Sequence, residues 1–267
     1  MARPSSVATR LRSLFSGRTL LIGTPFLWLL VFFLLPFLIV LRISLAEMDG
    51  AMVSDLFTYA NNELFMKLKL QNYLTILEDD LYLSTYAQSL KYAGITTAVC
   101  LAIGYPFAYF MARSPSTVQP LLLMGVMLPF WTSFLLRVYA WKGLLDADTG
   151  WVGTFLNTIG ADKLLLPLGL ISAEGQYMYT PFSLILGMVY TYLPFMILPL
   201  YGTLSKLDLR LLEAAQDLGA TPWQAFWRIT VPLSKGGIIA GAMLVFIPCV
   251  GEYVIPALPG GPGARVI

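Results

Sequence analysis

The side chains of this chain that could act on a solute are carboxylates and aromatic rings. The sequence of 267 residues contains no histidine and only two cysteines, which excludes imidazole-based metal sites, Ser-His triads and Cys-His dyads. Glu252 is the acid that lies deepest within an apolar run. Because an ionised group in apolar surroundings usually faces a cavity or a partner, the chemistry expected of Glu252 is attraction of a cation. Two alternatives are a pair with Arg137 and a position at the edge of the run, where the carboxylate reaches water.

Aromatic rings in or near the same apolar runs could support such a site through cation–π contacts. The rings considered are Trp131, Tyr139, Trp141, Tyr190, Tyr192 and Tyr253. The alternative for each ring is an anchor in the aromatic belt at a membrane surface. Arg137 is expected to orient the end of an apolar run or to bind lipid headgroups. The candidates for the lining of a solute path are therefore Glu252, Tyr253, Trp131, Arg137 and Tyr192.

The composition identifies lipid as the solvent for most of the chain. Hydrophobic residues make up 57% of the sequence and charged residues 12%, whereas a soluble domain is about half apolar and about a quarter charged. Cys100 and Cys249 lie inside apolar runs and are expected to act as small hydrophobes rather than to form a disulfide framework. A formal net charge of +2 gives no reason to expect nucleic acid as a partner.

Long apolar segments predict an all-α, polytopic bundle of transmembrane helices that contact the lipid bilayer. Five segments qualify, at residues 19–41, 92–112, 120–136, 182–204 and 236–255. Their glycines and prolines are compatible with spanning helices, since neighbouring helices satisfy the freed backbone groups. A cleavable signal peptide is not favoured for the first segment, because the apolar run is too long and no small-residue cleavage site follows it.

The distribution of basic residues predicts the orientation of these spans. Residues 1–18 carry four arginines and no acid, and the link at 205–235 carries two lysines and two arginines. By contrast, residues 44–89 carry seven acids and two lysines. We therefore expect a multi-pass protein with a cytoplasmic N-terminus, with the segments 44–89 and 142–180 outside and the link at 205–235 inside.

The link at 205–235 has the local signals of a helix-turn-helix. Gly219 can adopt the left-handed conformation that ends a first helix. Thr221 and Gln224 have the spacing of a capping box, so a second helix is expected to begin there, and Pro232 is expected to end it. Apolar faces of both helices would be exposed at the cytoplasmic surface. On these grounds alone, a hairpin that rests on lipid headgroups is an alternative.

The spacing of residues in this link resembles the signature loop of ABC importer permeases. That signature is Glu-Ala-Ala, three residues, Gly, nine residues, Ile, one residue, Leu and Pro. The matching residues are Glu213, Ala214, Ala215, Gly219, Ile229 and Pro232, with Val231 at the leucine position. In that family the loop is a coupling helix that docks in a cleft of the ATPase subunit. The resemblance implies a charged contact for Glu213 at that joint, and a solvated surface glutamate is the alternative.

Three further segments look like spermidine/putrescine permeases, and most like the putrescine branch. They lie at 128–141, 192–196 and 251–256, and the resemblance covers nearly the whole chain from Thr19 onward. It implies a type I ABC importer permease of the bacterial inner membrane, with a six-span core. The implied partners are a second, homologous permease subunit, an ABC ATPase dimer and a periplasmic substrate-binding protein. With five spans found, we expect the chain to lack the C-terminal span, as a truncated product or a fragment.

A phosphate-binding loop of the type Gly-x-x-x-x-Gly-Lys-Ser/Thr does not occur in the sequence. We therefore expect no cofactor in this chain, with ATP and Mg bound by the partner ATPase, and no enzymatic activity of its own. The expected organisation is a basic N-terminus at 1–18 and one transmembrane domain at 19–267 that includes the coupling loop at 205–235.

The function expected from the resemblance is polyamine uptake driven by ATP hydrolysis in the partner. One alternative is an ABC permease for another small solute. A secondary transporter is less favoured, because it would need an internal repeat and broken helices around a midplane site. An intramembrane enzyme lacks the catalytic groups it would require.

Overall fold

The computed structural model describes residues 17–46, 48–49, 52–53, 57–60, 63–66, 71–146, 150–171, 175–252 and 255. The chain forms two compact units, Met1–Asp80 and Leu81–Ile267, and each has its own internal contacts.

The first unit begins with an apolar helix that continues through a π-helical turn. Its parts are α1 (Gly17–Leu29), the π turn (Leu30–Leu34) and α2 (Leu35–Leu45). The stretch Leu21–Leu45 is long and apolar enough to cross a membrane, close to the predicted span at 19–41. Pro36 is the second residue after the π turn. The wider turn accommodates the proline ring and its missing N–H.

Two short antiparallel hairpins follow this helix. The pairs are β1 (Met48–Asp49) with β2 (Met52–Val53) and β3 (Phe57–Ala60) with β4 (Glu63–Met66). Helix α3 (Gln71–Glu78) comes next. The spanning segments are therefore helical, as predicted. The acidic link after the first span also contains strands of two to four residues, which the apolar periodicity of the sequence did not predict.

The second unit is built from helices in the part of the chain that the structure describes. The two longest are α4 (Asp80–Arg113) and α9 (Pro181–Leu204), of 34 and 24 residues. The other helices are α5 (Gln119–Met127), α6 (Phe134–Leu144), α7 (Trp151–Thr158), α8 (Ala161–Leu165), α10 (Arg210–Asp217), α11 (Pro222–Ala225), α12 (Val231–Leu233) and α13 (Lys235–Val250). A 3-10 turn follows α5 at Leu128–Trp131, and a π turn joins α11 to α12 at Phe226–Thr230.

Three helices are long and apolar enough to cross a membrane among the described residues, or up to five if each bent pair is one span. The bent pairs are Gln119–Trp131 with Phe134–Leu144, at 89°, and Pro222–Leu233 with Lys235–Val250, at 63°. The segment 120–136, predicted as one span, is divided. Thr132 and Ser133 have extended backbone angles, so one helical stretch ends and Phe134 begins another.

Helix α9 lies at the centre of the main core, which it forms with α4 and α13. The helices approach closely where glycines face Met196. A Cβ on Gly241 would lie 2.8 Å from the Met196 Sδ, and one on Gly104 would lie 3.1 Å from its Cγ. Small residues allow membrane helices to pack at short distance. Cys100 and Cys249 are both buried and free, as the sequence indicated.

Two adjacent glycines at the start of α13 allow this packing to be tested. A Cβ on Gly237 would lie 2.6 Å from Thr203 Oγ1 and 2.9 Å from the Pro199 carbonyl oxygen, whereas a Cβ on Gly236 would meet no atom within 4 Å. We expect Gly237→Val to destabilise the fold by about 1–3 kcal/mol through overpacking. Gly236→Val makes the same chemical change in open space and should have little effect. Thermal unfolding in mild detergent measures both, and equal midpoints would contradict this account of the α9–α13 contact.

A second, smaller core lies at the N-terminal end of α9. Its buried residues are Leu145, Ile171, Tyr177 and Met178. The Tyr177 hydroxyl donates to Asn157 Oδ1 at 2.7 Å, which ties the segment before α9 to α7. Thr180 and Ser183 form a capping box, so α9 begins at this cluster.

Candidate functional site

The first helix of the predicted helix-turn-helix ends at Gly219. This residue has a φ of 86°, in the left-handed region. Its N–H donates to Gln216 O at 2.8 Å, and the Ala220 N–H donates to Ala215 O at 3.0 Å, so carbonyls at the end of α10 are satisfied. A Cβ at Gly219 would meet no atom within 4 Å. The backbone angle, and not crowding, therefore favours glycine here.

The second helix begins at the predicted capping box. The Gln224 N–H donates to Thr221 Oγ1 at 3.3 Å, and the Thr221 N–H donates to Gln224 Oε1 at 3.0 Å. Two orphan N–H groups at the helix start are satisfied in this way. Of the signature residues, the exposed ones are Glu213, Ala214, Gly219 and Pro232, and the half-buried ones are Ala215 and Ile229.

The second helix ends beside Pro232, as predicted. The helical stretch runs on to Leu233, and the 63° bend comes after it. The π turn at Phe226–Thr230 precedes this proline just as another π turn precedes Pro36. At Pro36 the wider turn accommodates the missing N–H and the bulk of the ring, and the helix continues to Leu45, whereas beyond Pro232 the helix ends at Leu233.

Phe226 joins the loop to the bundle core. Its ring meets the rings of Tyr105 and Tyr109 edge to face, with centroids 5.7 Å apart in each case. The buried Tyr105 hydroxyl lies 2.9 Å from Ser234 Oγ, at the bend before α13. The loop is thereby attached to both α4 and α13. Sequence reasoning missed these tyrosines, although their spacing of four residues places them on one face of α4.

The loop also presents large apolar side chains that the described residues leave uncovered. Leu218 is 89% exposed, Trp223 69% and Trp227 53%. They lie around the Gly219 turn and on the helix that follows it. Exposed apolar surface of this extent in one place is typical of a docking site.

The structure brings together two of the predicted path residues, Tyr192 and Glu252. The Tyr192 hydroxyl donates to Glu252 Oε2 at 2.5 Å, and the Ile255 N–H lies 3.4 Å from Glu252 Oε1. Tyr192 is buried in the middle of α9, and Glu252 follows the end of α13. A half-buried carboxylate is thus held after the end of α13, beside the ring of a buried tyrosine.

A row of aromatic rings leads from this pair to Arg137. The Phe195 ring lies 6.2 Å from that of Tyr192 and 5.2 Å from that of Phe130. The Arg137 guanidinium carbon lies 5.8 Å from the centroid of the Phe130 ring. Within the described residues, the buried Nε and Nη1 atoms of Arg137 have no hydrogen-bond partner. The Phe134 centroid lies 5.7 Å from the guanidinium carbon, so two phenyl rings are within cation–π distance of the guanidinium.

The remaining two candidates are not part of this arrangement. Trp131 is 72% exposed, and Tyr253 lies outside the described residues. Two apolar grooves, of about 540 and 310 Å³, border α4. Neither groove is lined by Tyr192 or Glu252, so the polar pair, and neither of these grooves, marks the candidate site.

The region that contains the loop and the Tyr192–Glu252 pair matches a known family. Residues 101–267 match the family described as "Binding-protein-dependent transport system inner membrane component". The chain belongs to this family. It is a permease subunit of an ABC importer and a multi-pass membrane protein of the type I permease fold. Membership of this family does not favour the secondary-transporter alternative.

Several relatives of this permease are named for the same substrates, spermidine and putrescine. Over 236 residues it is 42% identical to the "Spermidine/putrescine transport system permease protein PotB" of Haemophilus influenzae, covering 88% of this chain and 75% of the relative. The PotB of Escherichia coli K12 is also 42% identical over 236 residues, with 78% of it covered.

A solved structure supports the fold. The permease is similar to a chain in the crystal structure of a bacterial ABC transporter involved in import of the acidic polysaccharide alginate. The TM-score is 0.59 at 17% identity, with 99% of this chain and 80% of the other covered. At this identity the likeness concerns the fold alone.

Proposed function

We propose that this permease forms the path by which polyamines, putrescine or spermidine, enter across the bacterial inner membrane. The 42% identity to permeases named for spermidine and putrescine carries the substrate class. The chemistry of the Tyr192–Glu252 pair supports it, because a carboxylate next to aromatic faces suits an ammonium group. Another small solute is the alternative substrate for the same kind of permease.

In this proposal the loop at 205–235 is the coupling element, and it faces the cytoplasm together with residues 1–18. The basic residues of both segments support this orientation. An ABC ATPase dimer binds ATP and Mg and receives the exposed face around Leu218 and Trp223. The remaining partners are a second, homologous permease subunit and a periplasmic substrate-binding protein, as expected of an importer in this family.

The coupling movement passes through the contacts of Phe226. When the ATPase dimer closes, it displaces the loop, and Phe226 pulls on Tyr105 and Tyr109 of α4. The Tyr105–Ser234 hydrogen bond transfers the same displacement to the start of α13. Since Glu252 follows the other end of α13, loop movement changes the surroundings of the Tyr192–Glu252 pair. Glu213, exposed on α10, supplies a charged contact to the ATPase.

Glu252 attracts the cation during passage. An arriving ammonium group replaces the Tyr192 hydroxyl at the carboxylate, and the rings of Tyr192 and Phe195 offer cation–π faces. Arg137, held over phenyl rings, orients the helix break after residue 131. A few weak contacts are sufficient because the binding protein supplies the affinity in this arrangement. Trp131 and Tyr253 stay predictions for the path lining.

Leu218→Asp tests the docking role of the loop. We expect the variant to insert normally but to lose the ATPase subunit when the tagged permease is purified in mild detergent. An unpaired charge in an apolar contact costs about 3–5 kcal/mol. The amount of ATPase recovered with the permease should therefore fall by at least about tenfold. Lys163→Asp is the control, at an exposed position of α8, which packs at the N-terminal end of α9, whereas the loop follows the C-terminal end. Mass spectrometry of the co-purified proteins provides the measurement.

Two outcomes would contradict the docking role. One is undiminished recovery of the ATPase with Leu218→Asp. The other is an unmodified permease that purifies without an ATPase at all. Loss of the ATPase from both Leu218→Asp and the Lys163→Asp control would show that surface charge, and not the loop face, weakens the complex.

A further inference from the structure

Helix α7 has three sectors of different chemistry. Val152, Gly153 and Leu156 face the protein, where the two apolar side chains pack against the cluster of Tyr177. The exposed remainder is divided into two halves. One half is apolar and consists of Trp151, Phe155 and Ile159, which are 84%, 62% and 60% exposed. The other half is polar and consists of Thr154, Asn157 and Thr158, which are also exposed.

The apolar half is a stripe, because its residues are spaced by four along the helix. No residue of α7 carries a charge. Leu164 of α8 and Leu168 after it, 67% and 63% exposed, extend the uncovered apolar surface beyond α7. An uncharged stripe of this size, bordered by hydroxyl and amide groups, is unfavourable in water.

The position of α7 relative to a span indicates what covers the stripe. Val152 and Leu156 pack in the same cluster as Phe182 and Leu186, which lie in the first two turns of α9. Helix α9 is long and apolar enough to cross the membrane and begins at Pro181. A helix that packs against the first turns of a span lies at the boundary between hydrocarbon and water.

We propose that α7 is an interfacial membrane helix, with Trp151, Phe155 and Ile159 inserted among lipid acyl chains and its polar half in water. Trp and Phe on the apolar side of a short uncharged helix are typical of this placement. The stripe is then continuous with the lipid-facing surface of the spans. The proposal moves part of the segment 142–180 from water to the bilayer surface. It does not depend on the substrate, on the ATPase or on which leaflet is involved.

Two cysteine variants on α7 test the proposal. Phe155→Cys places a thiol in the apolar half, and Thr154→Cys places one in the polar half, about 100° away around the helix. The native thiols are fully buried, since Cys100 and Cys249 are both 0% exposed, and the unmodified protein gives the labelling background. Each variant is purified with its partner subunits, labelled with an environment-sensitive fluorophore and reconstituted in vesicles of phosphatidylethanolamine and phosphatidylglycerol. Quenching by doxyl-labelled lipid is compared with quenching by aqueous iodide.

We expect lipid quenching to be at least about threefold stronger at position 155 than at 154, because an interfacial helix buries its apolar face about 5–10 Å into the bilayer boundary. Iodide quenching should show the reverse order. Equal iodide quenching at both positions would overturn the proposal, since the stripe would then lie in water. Protection of position 155 from both quenchers would overturn it too, because a protein partner would then cover the stripe.

Discussion

Gly219→Pro is expected to abolish uptake while the permease still inserts and folds. Proline fixes φ near −65°, whereas the turn at Gly219 has a φ of 86°. The substitution also removes the N–H that donates to Gln216 O. The angle between α10 and α11 is lost as a result. Helix α10 contains no buried residue, so the bundle core should be unaffected.

The measurements are polyamine uptake into reconstituted vesicles and ATP hydrolysis by the same complexes. A backbone forced into an unfavourable φ costs about 1–3 kcal/mol. A loss of about 1.4 kcal/mol in docking free energy already weakens binding of the loop to the ATPase about tenfold. We therefore expect uptake to fall by at least about tenfold, with ATP hydrolysis no longer dependent on loaded binding protein. Normal uptake by Gly219→Pro would remove the turn from the coupling mechanism.

Gly219→Asn is the matched control for the backbone angle. Asparagine tolerates the left-handed region better than other residues with a Cβ. A Cβ at this position would meet no atom within 4 Å, so the side chain has room. Uptake by the asparagine variant should stay near that of the unmodified permease. Equal losses in both variants would assign the effect to an added side chain in the docking surface and not to φ.

Local signals in the sequence were sufficient to predict the loop. The Gly219 turn and the Thr221–Gln224 capping box depend on residues within a few positions of one another. The end of the second helix beside Pro232 was also predictable, because proline disfavours the continuation of a helix. The π turn at Phe226–Thr230 was not predicted, because apolar periodicity gives no sign of such a turn.

Contacts between residues distant in sequence were harder to predict. Tyr192 and Glu252 were each candidates on composition and depth, but their hydrogen bond crosses 60 residues, and no local rule specifies it. Phe195 could have been found, because it lies three residues after Tyr192 and hence on the same helix face. Phe130 could not, since it lies in a different helical segment and no local rule specifies its contact with Phe195.

Glu252→Gln is expected to reduce polyamine uptake strongly without disturbing the fold. Glutamine has nearly the same size, and its amide oxygen can still accept from the Tyr192 hydroxyl. The negative charge is lost, together with the second acceptor oxygen, which receives the long 3.4 Å contact from the Ile255 N–H. A hydrogen bond to a charged group contributes about 1.5–3 kcal/mol, so kcat/KM for uptake should fall by roughly tenfold to a hundredfold. Initial rates with radiolabelled putrescine and spermidine, at saturating binding protein, provide the measurement.

Tyr192→Phe separates attraction of the cation from a structural role of the pair. This variant keeps the ring beside Phe195 and the carboxylate of Glu252 but removes the hydroxyl between them. If Glu252 attracts the ammonium group, its charge matters and the hydroxyl is only a resting partner. Uptake by Tyr192→Phe should then change by no more than about threefold, far less than with Glu252→Gln.

Equal effects of Tyr192→Phe and Glu252→Gln would assign a structural role to the Tyr192–Glu252 pair. If Tyr192→Phe lowers uptake as much as Glu252→Gln does, and both lower the thermal unfolding midpoint, the hydrogen bond mainly joins α9 to the end of α13. Unchanged uptake with Glu252→Gln would exclude the carboxylate from the path altogether. A loss of uptake with an unchanged midpoint is the combination that assigns the charge of Glu252 to the passing cation, because only transport, and not packing, then depends on it.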